Sequence, residues 1–236
     1  MPTTIGSFLN AAGVCDVFAE MAPPIPIFIT GGTGYIGSRL IPPLLARGHR
    51  VRALVRLKSR APLPAGVEVV RADPLQMDSY RNEIGSAETF VHLIGTPHPS
   101  PAKAKQFREI DLVSVQVATK AAREAGVRHF VYLSVAHPAP AMKAFVAVRM
   151  EGEALLRASG LPATFVRPWY VLGPGHWWPC AILPVYWILE RIPQTKESAR
   201  RLGLITIRQM VAALVWAVEN PPEGIRVLDV PHMRRF

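Results

Sequence analysis

Gly31, Gly34 and Gly37 are spaced three apart in Thr30-Gly31-Gly32-Thr33-Gly34-Tyr35-Ile36-Gly37, directly after an apolar, β-branched run and directly before a helical pattern. In that setting Gly31 permits a tight turn, Gly34 admits backbone to a pyrophosphate, and Gly37 lets helix and sheet pack closely. Thr33, Tyr35 and Ile36 complete the turn, whose N–H groups and helix dipole favour an anion. A glycine-rich turn can also be purely structural. Here strand, spacing and helix all agree, and the expected ligand is a dinucleotide.

Where a second strand ends, a carboxylate would bind the 2′-hydroxyl of NAD. This chain instead has Val55-Arg56-Leu57-Lys58-Ser59-Arg60. A guanidinium grips a 2′-phosphate bidentately, so Arg56 points to NADP, with NAD still open; the alternative is a solvated basic loop. Asp73, after the third strand, could accept a hydrogen bond from adenine, although an Asp before Pro74 is also an ordinary turn starter.

The elements that must position these groups alternate strand and helix, which predicts an α/β protein of Rossmann type, a doubly wound, mostly parallel sheet with a small C-terminal substrate region. Strands are predicted at 27–30, 50–55, 67–71, 89–94, 129–134 and 163–167, with a last one at 226–230. Helices are predicted at 35–47, 78–85, 102–125 and 142–159, the last stopped by Gly160 and Pro162. Another begins at Thr206, where Gln209 three residues on makes a capping-box pattern. Residues 25–236 form a single NAD(P)-binding domain in this reading, with 170–205 as substrate or lid region. Residues 1–24 are an extension, and Met21 stands where a natural start could lie.

The segments TGGTGYIG, VRALVR, LSV and SGLPATFVRPWYVLGPG resemble the atypical and extended short-chain dehydrogenase/reductases, over about residues 25–175. The likeness is greatest to the NAD(P)H-binding, NmrA-like and epimerase-like branch, which holds reductases, epimerases and dehydratases alongside non-catalytic NADP sensors and a respiratory complex I accessory subunit. The resemblance implies NAD(P) binding without fixing the reaction. It also implies cofactor contacts at Leu93, Ile94 and Gly95 at the end of the fourth strand, and at Ser134, Arg149 and Pro168.

Enzymes of that family place a Ser or Thr after the fifth strand and a Tyr-x-x-x-Lys on the next helix, where the phenol exchanges the proton and the ammonium lowers its pKa. Ser134 matches. Phe145 and Arg149 stand where the pair belongs, four apart on one helix face. Phe carries no proton, and Arg cannot relay one. Arg149 either hydrogen-bonds a ribose or pairs on the surface with Glu153, with Phe145 as core. Tyr170 is the alternative donor, with Tyr132, His137 and His176 further candidates near strand ends. Residues 168–178 are strongly aromatic and predict an apolar substrate pocket, a second small core, or an exposed surface contact.

Composition limits the remaining classes. A chain of 236 residues, half of them hydrophobic, supports one sizeable core. Two cysteines, Cys15 and Cys180, make neither a disulfide framework nor a metal cluster and fit a cytoplasmic protein. A formal charge of +10 favours anionic partners. The cations are scattered without interleaved aromatics, so specific nucleic-acid binding is not expected. No stretch is long enough for a membrane span, although surface contact stays open. The expected partner is a small-molecule substrate, the expected assembly a monomer or homodimer. No GxSxG, HExxH or paired-carboxylate signal supports hydrolase or metal chemistry. The leading reading is therefore an NADP(H)-dependent oxidoreductase or epimerase-type enzyme; the alternative is a non-catalytic NADP(H)-responsive regulator or assembly factor.

Overall fold

The computed structural model describes residues 23–175, 191 and 193–236. Most of the extension, His176 and the run to Leu189 lie outside the described residues, as do Cys15 and Cys180. Among the described residues the elements run β1 (Pro26–Thr30), α1 (Gly37–Ala46), β2 (Arg50–Val55), β3 (Glu68–Arg71), β4 (Thr89–His92), α2 (Val113–Glu124), β5 (His129–Leu133) and α3 (Lys143–Ser159). Then follow β6 (Ala163–Val166), β7 (Tyr170–Leu172), α4 (Pro193–Arg201), β8 (Leu204–Thr206), α5 (Ile207–Glu219), β9 (Ile225–Leu228) and α6 (Val230–Met233).

Seven strands form one parallel sheet in the order β3-β2-β1-β4-β5-β6-β9. The order reverses beside β1, where Ile27 pairs with Val51 on one side and Thr89 on the other. That reversal opens a crevice at the C-terminal ends of β1 and β4, the place where doubly wound sheets bind ligands. Alternation along each strand feeds two cores. Phe28, Phe90 and Phe130 face α2 and α3, with ring centroids 5.2 and 5.0 Å apart. Ile27, Ile29, Val91 and Val131 face α1 and α5.

Several boundaries differ from the sequence reading. The expected helix at 78–85 is two 3₁₀ turns, Met77–Ser79 and Arg81–Ile84, because Tyr80 leaves the helical path to bury its ring and Gly85 turns at φ 59°. The helix expected at 102–125 contains a π-helical turn, Phe107–Leu112, before α2. This turn carries both Phe107 and Asp111 into the interior. The last strand stops at Leu228 because Asp229 caps α6, accepting from the His232 N–H at 3.0 Å. The capping box at Thr206 and Gln209 is present. Two short strands, β7 and β8, pair in parallel outside the main sheet; the aromatic run around β7 gave no alternation by which to find them.

Candidate active site

The glycine turn joins β1 to α1 at the crevice. Gly31 lies at φ 79°, and a Cβ there would meet the Leu93 carbonyl carbon at 2.8 Å. At Gly37 a Cβ would overlap the Gly31 carbonyl oxygen and stand 2.7 Å from the Gly32 Cα. Both positions are thus glycine because the protein's own backbone fills the space. Gly34 differs: it is exposed, and a Cβ there would meet only the Gly31 oxygen, at 3.2 Å. Its missing side chain leaves a cradle open outward, which fits a pyrophosphate approaching backbone. Thr33, Tyr35 and Ile36 are half-buried around it, and the Gly34 N–H closes the turn on the Gly31 carbonyl at 3.0 Å.

Past β2 and β3, Arg56, Lys58, Ser59, Ala72 and Asp73 line a cavity of about 400 Å³. Arg56 and Lys58 are exposed. Asp73 accepts from the Leu75 N–H at 3.0 Å, the turn-starting bond expected of an Asp before proline. These residues offer a dinucleotide a phosphate turn and a cationic ribose end.

The third part of the crevice is closed by internal partners. Arg149 is buried; its Nη1 donates to the Leu133 carbonyl at 2.9 Å and its Nη2 to Asp111 Oδ1 at 2.6 Å, with the Ile94 carbonyl 3.3 Å away. Asp111 also accepts from the Thr96 N–H at 3.0 Å and from its hydroxyl at 2.6 Å. One guanidinium thereby ties together the ends of β4 and β5. Gly95 is exposed, and a Cβ there would overlap Arg149 Nη2. Leu93 is buried and Ile94 half-buried beside it. Arg149 does not pair with Glu153, and Phe145 is half-buried edge-on against Phe107 at 5.1 Å.

Ser134 is buried and donates to Glu153 Oε1 at 2.6 Å. Arg167 Nε donates to the same oxygen at 2.8 Å, and its Nη2 reaches Oε2. Burial pushes the Glu153 carboxyl up, but the bonds from Arg167 and Ser134 outweigh it and hold the group below its ordinary range. His137 Nε2 stands 3.4 Å from the same carboxylate, its side chain 14% exposed. Burial and Arg167 lower the His137 pKa against the pull of Glu153. Pro168 is buried and its carbonyl accepts from the Ala136 N–H at 2.9 Å. Tyr170 is half-buried, edge-on to Trp169 at 5.6 Å.

Beneath the turn, Ser114 Oγ donates to the Asp111 carbonyl at 2.9 Å, so it accepts from His92 Nε2 at 3.2 Å, and His92 Nδ1 accepts from Thr30 Oγ1 at 2.8 Å. This chain is neutral throughout, since burial and then Arg149 push the His92 pKa down to about 3. The sequence reading missed Asp111, Arg167 and this relay. A signal for Asp111 existed: with Phe107 and Val115 it falls at i, i+4 spacing on the apolar side of its helix, where a carboxylate needs a cation.

Sheet order, glycine turn and cavity together define a dinucleotide-binding α/β protein. Residues 31–173 match the NAD(P)H-binding family, and the chain belongs to it. Among curated relatives it is 29% identical over 216 residues to ceramide reductase of Caulobacter vibrioides, covering 89% of this chain and 65% of that protein. It is 28% identical over 225 residues to 3-diazoavenalumate denitrifying reductase of a Streptomyces species, covering 84% of this chain and 73% of that one. The chain thus spans about two thirds of the first relative's length. Among solved structures, WbmH of Bordetella bronchiseptica in complex with NAD+ superposes with a TM-score of 0.65 at 20% identity, covering 87% of this chain and 75% of that one, which shows the shared fold.

Proposed function

We propose that this protein is an NADP(H)-dependent oxidoreductase acting on a small, partly apolar substrate as a cytoplasmic monomer or homodimer. The observation that carries the NADP preference is the cavity past β2, where the exposed Arg56 and Lys58 stand and no carboxylate takes the ribose position at the end of the strand. Gly31, Thr33, Gly34, Tyr35, Ile36 and Gly37 would hold the pyrophosphate, Arg56 the 2′-phosphate and Asp73 the adenine. Leu93, Ile94, Gly95 and Pro168 would border the nicotinamide end. The cofactor, when bound, supplies or accepts a hydride.

The protein's own task is then to move one proton at the substrate oxygen. Phe145 offers none, and Arg149 serves by fixing the strand ends. Ser134 already donates to Glu153, so it meets a substrate as an acceptor unless that bond opens. His137, partly exposed beside an ionised carboxylate, is the better placed proton carrier, with Tyr170 the alternative. Residues 170–205 would form the substrate side. Ceramide reductase and the other reductases among the relatives support the reaction class.

NADPH should bind at least tenfold more tightly than NADH, since a charge-assisted pair is worth about 1.5 to 3 kcal/mol. Fluorescence titration checks this, and Arg56→Ala should remove most of the difference. Equal affinities in the unaltered protein would refute the NADP assignment. A second reading, a non-catalytic NADP(H)-responsive binder, draws on the closed Ser134 and Arg149. NADPH binding without turnover of any carbonyl or sugar-nucleotide in a broad panel would favour it.

A further inference from the structure

Away from the crevice, α1 and α5 pack side by side over one face of the sheet. An open groove of about 390 Å³ runs between them, with a floor of Pro43, Ile207, Val211, Ala212 and Val215. Its rim is Arg39, Arg47 and Arg208, and no carboxylate lines it. Arg39 donates to the Tyr35 carbonyl at 2.8 Å. Arg47, its side chain 57% exposed, donates to both oxygens of the largely covered Glu219 at 3.2 and 3.4 Å, a pair that solvent screens on the arginine side. Arg208 is exposed and has no ion pair among the described residues. One helical turn beyond Ala212 stands Trp216, half-buried, with Arg226 4.9 Å over its ring and Phe236, 42% exposed, at 5.8 Å.

An apolar floor ringed by guanidiniums, with an amphipathic Trp at one end, is matched by a surface that offers acyl carbon under a layer of phosphate. A second copy of this chain is a poor occupant of this face, because a contact through it would set the rim arginines Arg39, Arg47 and Arg208 against the same cations of the copy. We propose that the α1/α5 face docks on an anionic phospholipid bilayer, the apolar groove seated among the upper acyl carbons and Arg39, Arg47 and Arg208 on lipid phosphates. This docking stands independently of the reaction proposed above. It needs no membrane-crossing segment; among the described residues no helix is long and apolar enough for one.

The test is co-sedimentation of the full chain with vesicles of phosphatidylcholine alone and of phosphatidylcholine with phosphatidylglycerol. A strongly basic chain meets any anionic surface to some degree, so the comparison that decides is positional. Arg208→Glu lies on the proposed face, and Lys120→Glu makes the same charge change on α2, across the sheet. Each cation near such a surface is worth roughly fivefold in binding. Arg208→Glu should therefore weaken binding to the anionic vesicles by about 25-fold, Lys120→Glu by severalfold at most, and NADPH affinity should persist in both. Val211→Asp should also abolish binding; if it fails to fold, the arginine comparison decides alone. Equal losses from Arg208→Glu and Lys120→Glu, or no binding to anionic vesicles, would overturn the proposal. Binding of polyglutamate, weakened by Arg208→Glu, without vesicle binding would overturn it too and assign the groove to an acidic protein segment.

Discussion

The two ends of the crevice are built on opposite plans. At the β1, β2 and β3 end the groups proposed to meet a ligand are left open: Gly34 is exposed with only the Gly31 oxygen near a Cβ there, and Arg56 and Lys58 stand exposed beside a cavity. At the β4 and β5 end they are consumed by the protein. Arg149 is spent on Asp111 and two strand carbonyls, and Ser134 on Glu153. Binding of a dinucleotide needs only the first plan. Proton transfer needs a group released from the second, or one beside it such as His137. The proposed cofactor and proton-transfer roles thus rest on different residues, and the two can be perturbed separately.

The largest effect expected is at Asp111. Removing its carboxylate leaves the Arg149 guanidinium buried without its partner, a change that destabilises by about 3 to 5 kcal/mol. For a domain of this size Asp111→Ala should lower Tm by roughly 6 to 20 °C, measured by thermal unfolding. A shift of a degree or two would mean that the pair does not hold the β4 and β5 ends.

Next in size is the pH dependence of stability. Burial, followed by the charge of Arg149, pushes His92 down to about 3, and burial, followed by Arg226, pushes His129 down to about 4. Both lie below the ordinary value of 6.5, so the unfolded chain takes up protons that the native one refuses. Their contribution is complete above pH 6.5 and is lost as pH falls from there toward 4, at up to about 1.4 kcal/mol per pH unit for each histidine. Urea midpoints between pH 7 and 5 should show this decline, and His92→Gln should remove about half of it, leaving the share of His129. A flat profile in the unaltered protein would contradict the neutral relay under the turn.

The smallest effect is expected at Phe145. Because Arg149 is held elsewhere and the Ser134 proton goes to Glu153, Phe145→Tyr should leave Tm nearly unchanged and add little carbonyl reduction. Adding Arg149→Lys should destabilise the chain, since an ammonium cannot span Asp111 and both carbonyls. A tenfold or greater gain in reductase activity from Phe145→Tyr alone would show that the catalytic end is more open than these bonds imply.

The same contrast explains what could be read from the chain. The glycine turn, the positions of the sheet's strands and the absence of a carboxylate after β2 rest on local spacing, and spacing is visible in sequence. Ser134 was found by position, yet its partner was not. The pairs Asp111 to Arg149 and Glu153 to Arg167 bring together residues 38 and 14 positions apart, chosen by packing against strand ends that no local pattern specifies. Arg149 looked like a ribose ligand or a surface cation because its burial depends on Gly95 leaving room for it. Tyr80 and Gly85 likewise broke a helix for tertiary reasons.

The central claim, that the open end exists to hold a dinucleotide, is tested most directly at Gly34. Only the Gly31 oxygen, at 3.2 Å, stands near a Cβ there, so the fold has little need of a glycine at that position while a ligand would. NADPH titrated into the unaltered chain and into Gly34→Val, with Tm recorded for both, should show saturable binding in the first, none in the second, and similar Tm values. Retained NADPH binding in a folded Gly34→Val protein would contradict the account.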